Sequence, residues 1–428
     1  MEGKITAYTQ VIARRRSIHL IRFAPMPDLL AQPVNSEVVF FFPSNSSGRN
    51  NLLAIGREEE FRVESVMPSS WQTLDKWLAK KNDWTFGFIS YDAKNGIEKL
   101  KTTGPRTVRV PDLHFVVPIH VVEWNDDQII VHKGNWLEEF REFSHQGFQI
   151  SSESIQLKPV QSRTDYIKAV EMLLQHIQRG DIYEVNYCQE FFAKTQIQDP
   201  LSLFKKLLFL TSAPQSVYFQ LDDLFLMSAS PERFLSRCGN HVISQPIKGT
   251  AKRGITQDED ELSRRTLLNS QKERSENVMI VDLVRNDLSK SAVKGSVSVS
   301  ELFGLHSFKT VHHLISTVTA ELKAGTSFGK LIQDTFPMGS MTGAPKIRAM
   351  ELSDHYETSA RGLYSGTVGY IRPDGNFDFN VVIRSIVYDR LQGIVSCSVG
   401  GAITAQCDPG AEYEECLLKA EAMMSALK

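Results

Sequence analysis

Short apolar runs rich in β-branched and aromatic residues, each closed off by turn residues, constrain this chain more than any other feature. "EVVFFFP", "WTFGFISYD", "LHFVVPIHVVEW" and "QIIVHK" fall within the first 150 residues and predict a strand-rich lobe with few helices. "FNVVIRSIVYD" (379–389) and "GIVSCSVGG" (393–401) read as buried strands. Helical patterns lie between. Ile167, Val170, Leu174 and Ile177 recur at helical spacing, with Gly180 as the stop signal. A second pattern runs from about Asp258 to Leu288, and a last helix opens on Asp408 as N-cap with Pro409 at its first position. "DIYEVNYCQEFF" reads as a strand with Glu184 and Asn186 on one side and Tyr183, Val185 and Tyr187 on the other. Strands and helices do not alternate in strict βαβ order. The expectation is an α/β or α+β architecture with a large, mostly antiparallel sheet content. The polar, proline-bearing stretch 151–166 is the expected boundary between a lobe at 1–150 and a catalytic domain at 158–428.

Composition narrows the class. With 42% hydrophobic and 23% charged residues, the chain has the make-up of a globular protein rather than a disordered one. A formal net charge of −2 gives no hint of a nucleic-acid or membrane surface, so any charge chemistry is expected to be local. Five cysteines, an odd number without C-x-x-C, suit a reducing cytoplasm and argue against a disulfide framework or a zinc knuckle. The N-terminus lacks the apolar core of a signal peptide, and no run approaches a membrane span. The "NSS" at 45–47 matches a glycosylation sequon and is expected to stay unmodified.

Two acidic pairs, Glu273 with Glu276 and Glu412 with Glu415, each place both carboxylates on one helical face. Such oxygens suit Mg²⁺, which takes one or two carboxylates plus waters and an anionic substrate. E-x-x-E is also common on solvated faces, and carboxylates near a helix start favour the helix dipole. "FPMGSMTGAPKIRAME" (336–351) has small residues, among them Gly343, ahead of a helix, with Lys346 nearby. It reads either as an anion-binding helix start or as an ordinary capped helix. "GTSFGKL" fails as a P-loop, because its glycine gap is short and Leu331 stands where the Ser or Thr belongs. Arg384 interrupts an apolar strand and needs either an internal carboxylate or a carboxylate ligand. In "VHHLIS" one histidine is expected to face inward, and no zinc pattern surrounds it. Lys248, framed by Pro246-Ile247 and Gly249, reads as a surface lysine in a turn or as a stiffly held nucleophile.

"GDIYEVNYCQEF", "SASPERFL", "PIKGTAKRG", "ENVMIVDLVRNDL", "VHHLIST", "FPMGSMTGAPKIRAMEL", "RGLYSGTVGY", "DFNVVIRSI" and "DPGAEYEECLLKA" occur in the order seen in the chorismate-utilising enzymes. The chain resembles their synthase component I proteins, densely over about residues 158–428. That resemblance implies two face-packed antiparallel sheets with helices outside and a Mg²⁺-dependent site between them. It implies Glu276 and Glu415 as metal ligands, with Glu273 and Glu412 holding bound waters. Arg384 and Tyr364 match the binders of the enolpyruvyl carboxylate, with Lys419 and the backbone of Gly400 and Gly401 close by. Thr342 and Gly343 fall among the substrate-binding positions. Glu232 matches the general acid for the departing 4-hydroxyl, and His313 matches the histidine beside the substrate ring.

Lys248 then separates the branches. Anthranilate synthases look like "PIAGT" at this place, whereas the aminodeoxychorismate synthase branch looks like "PIKGT". In that branch the lysine attacks C2 of chorismate, the 4-hydroxyl leaves, and ammonia at C4 expels the lysine. Such a lysine is expected to be uncharged. One position departs from the pattern: Glu184 stands where many component I proteins have glutamine and the isochorismate synthases have lysine. Pairing with Lys248, where Glu184 would tune its proton, is the expectation. No G-x-C-x-G nucleophile occurs, so the resemblance implies a separate glutamine amidotransferase subunit as ammonia source. It also implies a separate pyridoxal-phosphate lyase on the way to 4-aminobenzoate and folate. Anthranilate synthase component I and a catalytically silent chorismate-binding relative are the competing readings.

Overall fold

The computed structural model describes residues 19–21, 36–44, 49–134, 154–309 and 311–428. The sequon at 45–47, most of the N-terminal stretch read for a leader, and the start of the expected boundary at 151–153 lie outside the described residues. Among the described residues two antiparallel sheets, of 12 and 10 strands, face each other. Their inner faces meet through rings. Phe40 and Phe42 of the strand Val38–Phe42 lie 5.7 and 6.0 Å from Phe86, and Phe88 stacks on Phe219 at 5.4 Å. The outer face of the larger sheet carries the helices Arg163–Gln178, Pro200–Thr211 and Pro409–Ala426. The smaller carries Pro68–Lys81, Gln271–Ser291 and Phe328–Thr335. This is the α+β sandwich with helices outside. Among the described residues no helix is long and apolar enough to cross a membrane.

Local signals account for the helix ends. The Asp408 carboxylate accepts a backbone N–H at the predicted start, at 2.8 Å, and the Ser162 hydroxyl does the same at a start for which no cap is predicted, at 3.1 Å. Gly180 stops the first helix with φ 84°.

The division at 151–166 does not separate two sheets. Val38–Phe42 pairs with Val217–Leu221 of the larger sheet, and Thr85–Ile89 pairs with Thr367–Ile371 of the smaller. Both N-terminal strands are buried along their whole length. An apolar strand with an unpaired edge is a liability, and these are absorbed into the sheets of the later half.

The run 379–389 is not one strand. Phe377–Asn380 belongs to the smaller sheet and Ser385–Asp389 to the larger, so the chain crosses between sheets through 381–384. Arg384 sits on that crossover at φ 52°, a conformation a non-glycine residue adopts rarely. The helical pattern from Asp258 to Leu288 is two helices, Gln257–Asn269 and Gln271–Ser291. Ser270 breaks it, with ψ 111° and its hydroxyl accepting the Glu273 N–H at 3.3 Å.

Candidate active site

The site forms where an edge of one sheet faces an edge of the other. Lys248 lies on Ile247–Lys252, the end strand of the smaller sheet's main path. Ile247 pairs with Ile315 and Thr250 with His313, so Lys248 and Gly249 together oppose Leu314 alone. This is a β-bulge, which bends a strand and re-aims a side chain. Gly249 takes φ 91°, and a Cβ there would stand 3.1 Å from Glu273 Oε2. The lysine side chain is only 11% exposed, so the surface reading is excluded.

Its ammonium donates to Glu184 Oε1 at 2.7 Å, and Glu184 is 1% exposed. The predicted pairing is present. Burial pushes the ammonium pKa down, but Glu184, Glu276 and Glu232 outweigh it and hold it above the ordinary range, in the direction opposite to the neutral amine expected. Glu184 Oε2 is buried with no hydrogen-bond partner.

Glu232 precedes the strand Arg233–Cys238 and is pinned to the crossover, its carbonyl accepting the Val381 N–H at 3.0 Å. Burial raises its carboxyl to about 7, although the Ser340 hydroxyl donates to it at 2.6 Å. His313, on Val311–Glu321, shares a 2.9 Å hydrogen bond with the Thr250 hydroxyl. Burial, helped by Arg384, lowers its imidazole to about 3. Its neighbour His312 is buried as well, contrary to the one-inward expectation, because the helix Gln257–Asn269 covers its face and Asp260 meets Nε2 at 3.0 Å.

The four glutamates come from the two helices Gln271–Ser291 and Pro409–Ala426. Glu276 Oε1 is buried without a hydrogen-bond partner, and burial raises that carboxyl to about 7. Burial also raises Glu273 and Glu412, whereas Lys419, 2.8 Å from Glu415, helps bring Glu415 below its usual range against the pull of burial. Lys272 stands between the helices, 3.4 Å from Glu412 and 4.0 Å from Glu276. Among the described residues no three carboxylate, histidine or cysteine groups converge as a preformed metal cage. Mg²⁺ does not require one, since it keeps waters and draws on substrate oxygens. An orphaned, buried carboxylate oxygen facing further carboxylates is the donor chemistry it takes.

The Arg384 guanidinium makes no hydrogen bond or ion pair with a described residue, while the carbonyl of this residue accepts the Ala229 N–H at 3.1 Å. Its guanidinium is held below the ordinary range by burial, against the pull of Tyr364 and Glu415. The internal-carboxylate reading therefore falls. Tyr364 is buried 6% exposed and bonded to the Cys188 thiol. Lys419 donates to the Gly400 carbonyl at 2.9 Å, and a Cβ on Gly401 would lie 3.0 Å from Glu412 Oε2. Gly343 packs so tightly that a Cβ would stand 2.2 Å from the Glu184 carbonyl. Thr342 is fully buried, and its hydroxyl turns back to the Met338 and Gly339 carbonyls at 3.3 and 3.2 Å. Lys346 is no anion ligand. It is bonded to Asp287 and to the Pro337 carbonyl, and burial lowers its pKa.

Three contributors carry no sequence signal of their own: Ser340 on Glu232, Lys272 between the glutamates, and Arg361. Arg361 pairs with Glu357 at 2.6 Å and donates to the Met341 and Asn186 carbonyls, both at 2.7 Å. It ties the Glu184 strand to the segment bearing Ser340.

The profile of the family described as chorismate binding enzyme matches residues 39–425. The chain is 44% identical over 264 residues to a probable chloroplastic aminodeoxychorismate synthase of rice, a match over 61% of this chain and 29% of that protein. It is 34% identical over 351 residues to aminodeoxychorismate synthase component 1 of Escherichia coli, covering 80% of this chain and 76% of that one. The chain thus spans less than a third of the rice protein. Anthranilate synthase component I of Streptococcus pneumoniae superposes with a TM-score of 0.74 at 22% identity, over 99% of this chain and 95% of that chain. With the matched profile covering residues 39–425, the larger part of both sheets and the whole site, the chain belongs to the chorismate-binding enzymes.

Proposed function

We propose that the chain is an aminodeoxychorismate synthase component I, converting chorismate and ammonia to 4-amino-4-deoxychorismate through a bond between Lys248 and C2 of the ring. The observation that carries this reading is the buried Lys248 ammonium, re-aimed by a bulge and bonded to Glu184 among acidic residues. The aminodeoxychorismate synthase names of the rice and Escherichia coli relatives agree with it.

Arg384 and Tyr364 receive the enolpyruvyl carboxylate, with Lys419 and the Gly400–Gly401 backbone alongside. Glu276 and Glu415 would hold Mg²⁺, with Glu273 and Glu412 beside them, and the ion would supply positive charge for the ring carboxylate. Glu232, raised to about 7, is protonated often enough at neutral pH to give its proton to the leaving 4-hydroxyl. His313 stays neutral beside the ring. Attack by Lys248 and then by ammonia splits one substitution into two. Ammonia comes from a glutamine amidotransferase partner, and a pyridoxal-phosphate lyase acts on the product. The reaction is expected to run in the cytoplasm.

Chorismate, Mg²⁺, ammonium and the purified chain, with an added lyase, are expected to yield 4-aminobenzoate by mass spectrometry. Anthranilate formed directly would overturn the reading, and so would an undiminished yield from Lys248→Ala.

A further inference from the structure

Lys248 presents a conflict. A nucleophilic amine must be neutral, yet Nζ here is buried and donates to the buried Glu184 carboxylate at 2.7 Å. Its proton needs an acceptor within the site. The acidic groups around it come from separate elements: Glu184 on the strand Glu184–Lys194, Glu232 ahead of Arg233–Cys238, Glu276 on the helix, and Glu273 beside Gly249. Among the described residues Glu184 alone accepts a hydrogen bond from Nζ, at 2.7 Å. Glu232 is engaged by the Ser340 hydroxyl. The second oxygen of Glu184 has no donor, and the backbone behind this carboxylate is locked by the close approach of Gly343. A glutamine at 184 would satisfy the same space but could not take a proton.

We infer that Glu184 takes the proton of Lys248 when the ring binds, holds it through the covalent stage, and returns it at the end. This rests on the covalent reading above. The proton moves from Nζ to Glu184, leaving a neutral amine and a carboxylic acid. The amine lone pair forms the C2–N bond, both conjugated ring double bonds shift, and the C4–O bond breaks. The Glu232 proton leaves with that oxygen as water. Ammonia then bonds C4, both double bonds shift back, and the C2–N pair returns to the lysine as a neutral amine. The new C4 ammonium gives one proton to Glu232, and Glu184 gives its stored proton to Lys248. Both carboxyls end as they began, and the net change is chorismate plus ammonia to product plus water. Glu184 acts through Lys248, so it is a positioning and proton-holding residue.

The test omits ammonia. The full chain is mixed with chorismate and Mg²⁺, quenched over time, and weighed intact for a mass gain of chorismate less water. The unaltered chain is expected to form the adduct quickly. Glu184→Gln is expected to form it about 10²-fold more slowly at neutral pH, with a rate that climbs toward alkaline pH as solvent takes the proton. Glu184→Asp, still a base but with shorter reach, is expected between the two. A Glu184→Gln adduct rate and pH profile equal to those of the unaltered chain would overturn the role. If Glu184→Gln fails to bind chorismate by equilibrium dialysis, Glu184→Asp decides, and full speed with an unshifted profile there counts against it. No adduct in the unaltered chain sinks the covalent reading itself, a result distinct from a normal adduct that ignores residue 184.

Discussion

Between the strands Val38–Phe42 and Thr85–Ile89 the two sheets meet through phenylalanine rings 5.7 and 6.0 Å apart. Between Glu184–Lys194 and Ile247–Lys252 the same two sheets bring together a lysine and an encircling set of glutamates. The aromatic half is mostly side chains that ask only to be dry, with the Arg49 guanidinium 5.6 Å over the Phe42 ring as a charged member. The charged half keeps Glu184 Oε2 and Glu276 Oε1 buried without hydrogen-bond partners. An unsatisfied buried polar group costs about 1–3 kcal/mol, so the charged half weakens the fold and the aromatic half supports it. The lesson is a division of labour along one interface: one end fixes the spacing of the sheets, and the other holds reactive groups in a geometry they would not choose alone.

Breaking each end separately sharpens that contrast. At the charged end Glu232→Gln removes the proton donor while keeping shape, and turnover is expected to fall about 10²- to 10⁴-fold with little change in the urea midpoint. At the aromatic end the expectation is reversed. Phe88→Ala is expected to cost about 3–5 kcal/mol in urea unfolding while the folded fraction keeps its kcat. Similar stability losses at both ends would mean that the division is not there.

Acid exposes a third difference. The buried His313 imidazole is held near 3 against an ordinary 6.5. Above pH 6.5 it is neutral folded or unfolded, and its contribution is fully present. As pH falls from 6.5 toward about 3 only the unfolded chain takes the proton, so stability is lost. Glu232 and Glu276, both raised to about 7, act in the opposite sense, favouring the fold as pH drops from 7 toward 4.5. Melting temperature against pH for the unaltered chain and His313→Gln isolates the histidine. The variant is expected to lose less stability below pH 6, and parallel curves would remove this assignment. The smallest effect is at Lys272, whose half-exposed ammonium stands among the carboxylates. Lys272→Gln is expected to tighten Mg²⁺ binding by about 1 kcal/mol in calorimetry without substrate, and weaker binding would contradict the competition.

Much of this was legible in the residues. Asp408–Pro409 marks a helix start through a side-chain cap, a local signal that survives in any fold. The ordered segments around Glu232, Lys248, Glu276, Arg384 and Glu415 carried the family resemblance. What was hidden is long-range. Apolar runs report burial without naming the partner, so 379–389 read as one strand where the chain changes sheets at Arg384. Lys346 read as anion-ready because Asp287, 59 positions away, is its partner. Lys248 was expected neutral because a nucleophilic amine has to be, while the carboxylates of Glu184, Glu232 and Glu276 come near it only when the chain folds.

The most direct measurement is the identity of the modified residue. The chain is incubated with chorismate and Mg²⁺, quenched in acid, digested and sequenced by tandem mass spectrometry. A chorismate-derived mass on Lys248, absent from Lys248→Ala, is the predicted result. An unmodified Lys248 in a preparation that turns over chorismate would contradict the account.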